Sequence, residues 1–359
     1  MIRFLSLLLL LVFGFGAKPA LANTAILDDM AKQVIDLHIR PAYTKLHQDS
    51  LALQAKLNAF CKHPTATGLD GLKRQFSKTV FAFAAIEHIR FGPITRSYRL
   101  ERFAYWPDRK GRGRRAVRLL IQKKDFASLK AETFQEKSVA VQGLTALEWL
   151  LFAKAEESSL LHSDFACAYA VAIGDNLANI SAAVVEGWQA GAPIVRQLLN
   201  PGPDQIAYKN RQEVLQELYQ SMIVGFNNLH NLKITLVIGA EGQRARPKRA
   251  AFWRSHSAVP VINQQFNSLK HMVAVSGYLM LLPEVDVDLH AHVKDIYRDI
   301  ETRLDALLKN SIFEVVEDEK KRAQMQFVAA RLQHLTAGFA RNFAIAANLP
   351  LGFNATDGD

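Results

Sequence analysis

Thr145 and Glu148 stand three residues apart in an otherwise apolar run, Gly143–Phe152 (GLTALEWLLF). On a helix that spacing makes them neighbours on one surface. A carboxylate beside Leu147, Trp149 and Leu150 is out of place, because glutamate is seldom buried unless it is paired or bound to a metal. Two chemistries follow: metal ligation, or pairing with a cation. Gly143 costs a helix about 1 kcal/mol relative to alanine, so something is expected to pack close against it. A second cluster, Glu87–Pro93 (EHIRFGP), sets Glu87 three residues before Arg90. That spacing suits an ion pair near a helix end, where Arg90 also favours the C-terminal dipole. A third, Ala250–Ser255 (AAFWRS), supplies Arg254 as a partner for Glu87 or Glu148, and Trp253 as a core or interdomain anchor.

Several common catalytic arrangements are missing from the sequence. A zinc peptidase of the commonest type needs H-E-x-x-H, which puts two imidazoles and a carboxylate on one helix face; the chain has no such motif. The eleven histidines are scattered, and His290 and His292, two apart, would not share a helix face. There is no Gly-rich phosphate loop and no G-x-S-x-G nucleophile elbow.

The elements that position these residues read as helices. Residues 359 in number, 49% of them hydrophobic, exclude a mainly disordered chain and allow two domains. Apolar positions recur at three- and four-residue spacing from Ala25 to Gln48, Leu51 to Phe60, Leu69 to Phe91, Phe134 to Ala153, Ser163 to Gln189, Arg211 to Ile238, Val259 to Leu281, Val287 to Leu307 and Ile312 to Ala347. Pro41 is expected to kink or interrupt the first. No alternating strand pattern appears. The expected fold is all-α, with two helical bundles, residues 23–200 and 201–359, meeting at Asn200-Pro201-Gly202-Pro203.

The N-terminus has the form of an export signal over residues 1–22: Arg3, the apolar Phe4–Phe13, and Ala20-Leu21-Ala22 as a cleavage site. No later run is long and apolar enough to span a membrane. The mature protein is therefore expected in the periplasm or cell envelope. In that oxidising compartment two cysteines, Cys61 and Cys167, favour one disulfide, with two buried thiols as the alternative. The net charge of +10 is concentrated in Arg109–Arg118 and Arg244–Arg249. An exported protein rarely meets nucleic acid, so none is expected as a partner; solvated loops or contact with an anionic envelope surface are the readings.

Taken together, Glu87–Pro93, Arg102–Gly113 with Trp106-Pro107-Asp108, Gly143–Phe152, Cys167–Leu177, Phe252–Ser255 and the terminal Gly352-Phe353-Asn354 and Asp357-Gly358-Asp359 resemble the imelysin-like family, exported bacterial proteins also called insulin-cleaving peptidase or iron-regulated-protein-A-like. The resemblance implies two four-helix-bundle-like domains and a link to iron uptake. Some members carry a G-x-H-x-x-E motif proposed to hold a metal; here it reads Gly143 to Glu148, with Thr145 in the histidine position. A threonine hydroxyl is a poor substitute for imidazole toward a transition metal. The leading expectation is a binding or accessory role in iron or metal acquisition, with a pocket between the bundles formed by Glu87, Arg90, Gly143, Thr145, Glu148, Arg254 and Ser255, and with Glu148 as the metal ligand for Fe or Zn. The expected partners are a metal ion or small ligand and an envelope protein. A metallopeptidase and a non-catalytic envelope interaction module are the alternatives.

Overall fold

The structure is a computed structural model describing residues 18–349, apart from 109, 153–159 and 241, with backbone alone at 18–24 and 284. The apolar export segment Phe4–Phe13 and the terminal glycine-rich motif lie outside these residues. The helices are α1 (Lys18–Val34), α2 (Arg40–Lys62), α3 (Ala66–Ala84), α4 (Arg99–Phe103), α5 (Arg112–Lys123), α6 (Ala131–Phe134), α7 (Leu144–Phe152), α8 (Asp164–Gly187) and α9 (Pro193–Leu199). They continue as α10 (Arg211–Asn228), α11 (Leu236–Ile238), α12 (Ala258–Val275), α13 (Leu282–Val285), α14 (Val287–Leu307), α15 (Ile312–Glu317) and α16 (Glu319–Ala346). Among the described residues there is no strand.

Two rings of four helices carry the fold. In the first, α2 packs on α3 and α8, and α7 closes the ring against the same two helices. In the second, α10 and α14 each pack on both α12 and α16. The rings are joined where α1 lies on α10 and α12, and where α3 meets α12. Burial of long apolar side chains drives both. Leu53, Leu57, Phe76, Ile173 and Leu177 are wholly out of water in the first ring, as are Phe226, Phe266, Ile300 and Leu332 in the second. Each such side chain contributes about 1.5–3 kcal/mol.

The close pair α2 and α8 shows how sequence sets spacing. Alanines line α8, and a Cβ on Gly174 would come within 2.8 Å of the Leu57 side chain and 3.4 Å of the Gln54 Cα. A disulfide joins Cys61 at the end of α2 to Cys167 in the first turns of α8, with the Cα atoms 5.5 Å apart. By length and hydropathy α8 is long and apolar enough to cross a membrane, which corrects the expectation that no later run would be. It serves instead as the inner helix of the first ring, its apolar face buried against α2.

Several helices differ from their expected bounds, each for a local reason. The run 25–62 is almost continuously helical, but a π-helical turn, Ile35–Ile39, precedes Pro41, which sits in the first turn of α2. The run from 211 is likewise broken by a π-helical stretch, Leu229–Thr235. Asp318 divides the last expected helix, its carboxylate accepting from the N–H groups of Lys320 and Lys321 to cap α16. Replacing Cys61 and Cys167 together by serine, which opens a 106-residue closure, is expected to lower stability by about 4–5 kcal/mol in the chain-entropy account; a denaturant midpoint unchanged in the oxidised protein would contradict it.

Candidate functional site

Glu148 lies on the inner face of α7 and is buried. Its position depends on a break the sequence pattern did not reveal. The expected helix Phe134–Ala153 is instead α6, a 3-10 turn at Val139–Val141, and α7. Gln142 holds the break: its amide donates to the carbonyls of Gln135 and Lys137, and its Oε1 accepts from Arg102 Nε at 2.7 Å. Arg102 also donates to Asn176 Oδ1 at 2.7 Å, and Asn176 donates back to the Gln142 carbonyl at 2.9 Å. Gly143 therefore stands just before α7 rather than inside a helix. A Cβ there would meet the carbonyl oxygens of Phe103 and Arg102 at 2.3 and 2.4 Å, so glycine is the residue that admits this backbone contact.

Ser255 supplies the partner of the carboxylate. Its N–H donates to Glu148 Oε1 at 3.0 Å and its hydroxyl to the same oxygen at 2.8 Å. Burial pushes the Glu148 carboxyl up from its ordinary range, and the Ser255 hydrogen bonds and the Arg254 charge oppose that shift. Ser255 belongs to a tight turn, 251–256, in which Phe252 and His256 adopt left-handed backbone at φ +54° and +57°. Arg254 lies over the Trp253 ring, 4.1 Å from its centre. Desolvation lowers the Arg254 guanidinium from its ordinary value; the Glu148 charge opposes this, Arg114 adds to it and Asp108 opposes it. Among the described residues no ion pair closes between Arg254 and a carboxylate.

Thr145, Glu148 and Arg254 line one cavity of 210 Å³, with Tyr105, Trp106, Asp108, Arg114, Trp149, Lys248, Arg249 and Trp253 among its other walls. The Asp108 carboxylate is used within the wall: it accepts from the N–H groups of Arg112 at 2.8 Å and Gly113 at 3.0 Å, capping α5. Trp106 Nε1 donates to the Arg249 carbonyl at 3.1 Å and so ties the segment just before the first basic stretch to the second.

Glu87 and Arg90 fall outside this cavity. The helix carrying them ends at Ala84, so the expected i, i+3 pair does not form. Arg90 is exposed, and Glu87 instead meets Lys233 Nζ at 2.6 Å. Lys233 is 4% exposed and also lies over the Trp106 ring at 4.8 Å. Glu87, Arg90 and Lys233 line a separate 50 Å³ cavity, and Trp106 and Phe252 face both spaces. Lys233 was invisible as a site residue because the π-helical stretch that turns it inward leaves no mark in hydrophobic spacing. A third buried polar group lies at the junction of the rings. His38 Nε2 is 2.9 Å from His88 Nε2, and His38 Nδ1 is 3.2 Å from His271 Nδ1. Burial, then the His271 charge, holds His38 down at about 3. Burial holds His88 well below its ordinary value too, with the charges of His38 and Arg90 adding to it.

A family model, Peptidase_M75: Imelysin, matches residues 39–338. The chain belongs to the imelysin family. An imelysin-like protein from Psychrobacter arcticum 273-4 is similar at 17% identity and a TM-score of 0.67, over 92% of this chain and 98% of that one. A protein described as an iron-regulated protein A precursor, from Parabacteroides distasonis ATCC 8503, is similar at 14% identity and a TM-score of 0.74, over 92% and 96%. These likenesses show the imelysin fold. No curated protein matches.

The residues at this imelysin site do not fit a metal ion. Glu148 Oε1 already accepts two hydrogen bonds, Thr145 brings a neutral hydroxyl, and Asp108 is engaged by two backbone N–H groups. Among the described residues no group of three His, Cys, Asp or Glu side chains is placed to hold one. The cavity's charge is set by Arg114, Lys248, Arg249 and Arg254, none of which closes an ion pair among the described residues.

Because the Glu148 carboxyl is pushed up, the folded protein takes its proton more readily than the unfolded chain. Its relative contribution to stability is full below the unfolded value and is lost as pH rises through the folded one. Glu148→Gln, which keeps an acceptor for Ser255, is expected to melt no lower than wild type at pH 8, with that difference shrinking toward pH 4.5. Glu148→Ala, which leaves the Ser255 N–H without its acceptor, is expected to lose about 1–3 kcal/mol. Melting curves across pH check both; a wild type more stable than Glu148→Gln at pH 8, and losing that lead in acid, would contradict the assignment.

Proposed function

We propose that this imelysin-family chain is an exported, non-catalytic ligand-binding protein of the cell envelope, with an accessory role in iron or metal acquisition. The cavity beside Glu148 is its binding site, and Glu148 is a structural group that holds the turn 251–256 in place. The observation that carries the reading is the pair of Ser255 hydrogen bonds on Glu148 Oε1. They engage one oxygen of the carboxylate, and among the described residues the cavity brings no imidazole, and no second carboxylate free of backbone hydrogen bonds, to complete a metal centre. Export is supported by the N-terminal signal pattern and by the description of one structural neighbour as a precursor; the link to iron is supported by that neighbour's description as iron-regulated.

The metallopeptidase reading needs a cation near Glu148, and the basic lining of the cavity opposes one. Purified mature protein, dialysed against Zn or Fe and assayed on unfolded casein with and without chelator, is expected to retain no stoichiometric metal and to cleave nothing. Glu148→Gln is expected to behave identically. One equivalent of metal that Glu148→Gln releases, together with chelator-sensitive cleavage, would overturn the proposal.

A further inference from the structure

We infer that the cavity beside Glu148 takes a small ligand carrying an aromatic ring and two or more carboxylates. This rests on the proposed binding role and names the chemistry of the ligand. The cavity combines two properties that rarely occur together. Among the described residues its cations, Arg114, Lys248, Arg249 and Arg254, close no ion pair, while its two carboxylates accept hydrogen bonds from the protein: Asp108 from the start of α5, Glu148 through Oε1 from Ser255. The net field inside is positive and favours an anion. Guanidinium groups are planar forks matched to carboxylates.

The walls between these charges are aromatic. Tyr105, Trp106, Trp149 and Trp253 all face the space. Two of the indoles are held in place. Trp253 meets the Phe313 ring edge-on with centres 5.6 Å apart, and Trp106 is tied through Nε1 to the Arg249 carbonyl. Fixed rings offer stacking surface with little ordering cost. A cavity of about 150 Å³ is enough to hold benzene, so 210 Å³ accommodates one substituted ring. Arg114 and Gly111 are shared with an adjoining surface groove that also presents Lys110, Arg115 and Arg118. That groove extends the positive field outward and steers an anion toward the opening. A bare Fe or Zn ion is repelled by the same field.

The test is calorimetric titration of the mature protein with benzene-1,3-dicarboxylate, beside cyclohexane-1,3-dicarboxylate, which lacks the ring, and benzene-1,3-dicarboxamide, which lacks the charge. The aromatic diacid is expected to bind at least about tenfold more tightly than either, and more weakly as salt rises. Arg254→Lys, which keeps the charge but loses the fork, and Arg114→Gln are each expected to weaken it about tenfold. Arg114 is exposed, so its variant tests the inference even if the half-buried Arg254 position fails to fold. Equal binding of the ring-free diacid or of the diamide, an Arg114→Gln variant of unchanged affinity, or no binding at all overturns the inference while leaving a binding role intact. Metal-dependent casein cleavage abolished by Glu148→Gln would instead remove the binding role itself.

Discussion

A carboxylate withdrawn from water needs hydrogen-bond donors or a cation, and at Glu148 those donors come from the other half of the chain. The Ser255 N–H and hydroxyl reach across to α7 of the first helical ring from a turn that leads into α12 of the second. Two residues of that turn, Phe252 and His256, hold left-handed backbone, a state that costs about 1–3 kcal/mol for a side-chain-bearing residue and persists only where surrounding contacts fix it. The contact therefore sets where Trp253 and Arg254 stand. With them it sets the shape and the charge of the cavity.

The same physical demand recurs along the junction of the rings. Glu87 is met by Lys233, and His38 by His88 and His271. In both cases a π-helical turn supplies one of the partners, Lys233 from Leu229–Thr235 and His38 from Ile35–Ile39. A π turn changes which face a side chain occupies without ending the helix, and such turns gather at functional sites. A buried ion pair such as Glu87–Lys233 adds little net stability, yet loss of either partner leaves an uncompensated charge. The cavity beside Glu148 differs in that the cations lining it, Arg114, Lys248, Arg249 and Arg254, close no ion pair among the described residues.

Much of this was legible in the sequence. The all-α class follows from unbroken three- and four-residue spacing, and the oddity of Glu148 from a charge amid leucines. Close packing at Gly143, and the neighbourhood of Thr145 and Glu148, followed from residue type and spacing. What could not be read depends on long-range polar contacts. Gln142, Arg102 and Asn176 break the helix that periodicity carries through Phe134–Ala153, since periodicity records only where apolar residues fall. Glu87 and Arg90 look paired by spacing, but α3 ends before them, and the true partner lies far along the chain in a π turn. Thr145, Glu148, Arg254 and Ser255 come together; Glu87 and Arg90 stand on the far side of Trp106.

The central claim is that this imelysin-family cavity holds an aromatic polyanion between indole walls and guanidinium groups, with Glu148 serving the protein rather than a metal. The most direct measurement is the anomalous difference map of crystals soaked in 5-iodobenzene-1,3-dicarboxylate. The account predicts an iodine peak inside the cavity, with the ring beside Trp253 and a carboxylate on Arg254. Iodine confined to other surfaces, or a cavity ligand whose carboxylates touch neither Arg254 nor Arg114, would contradict it.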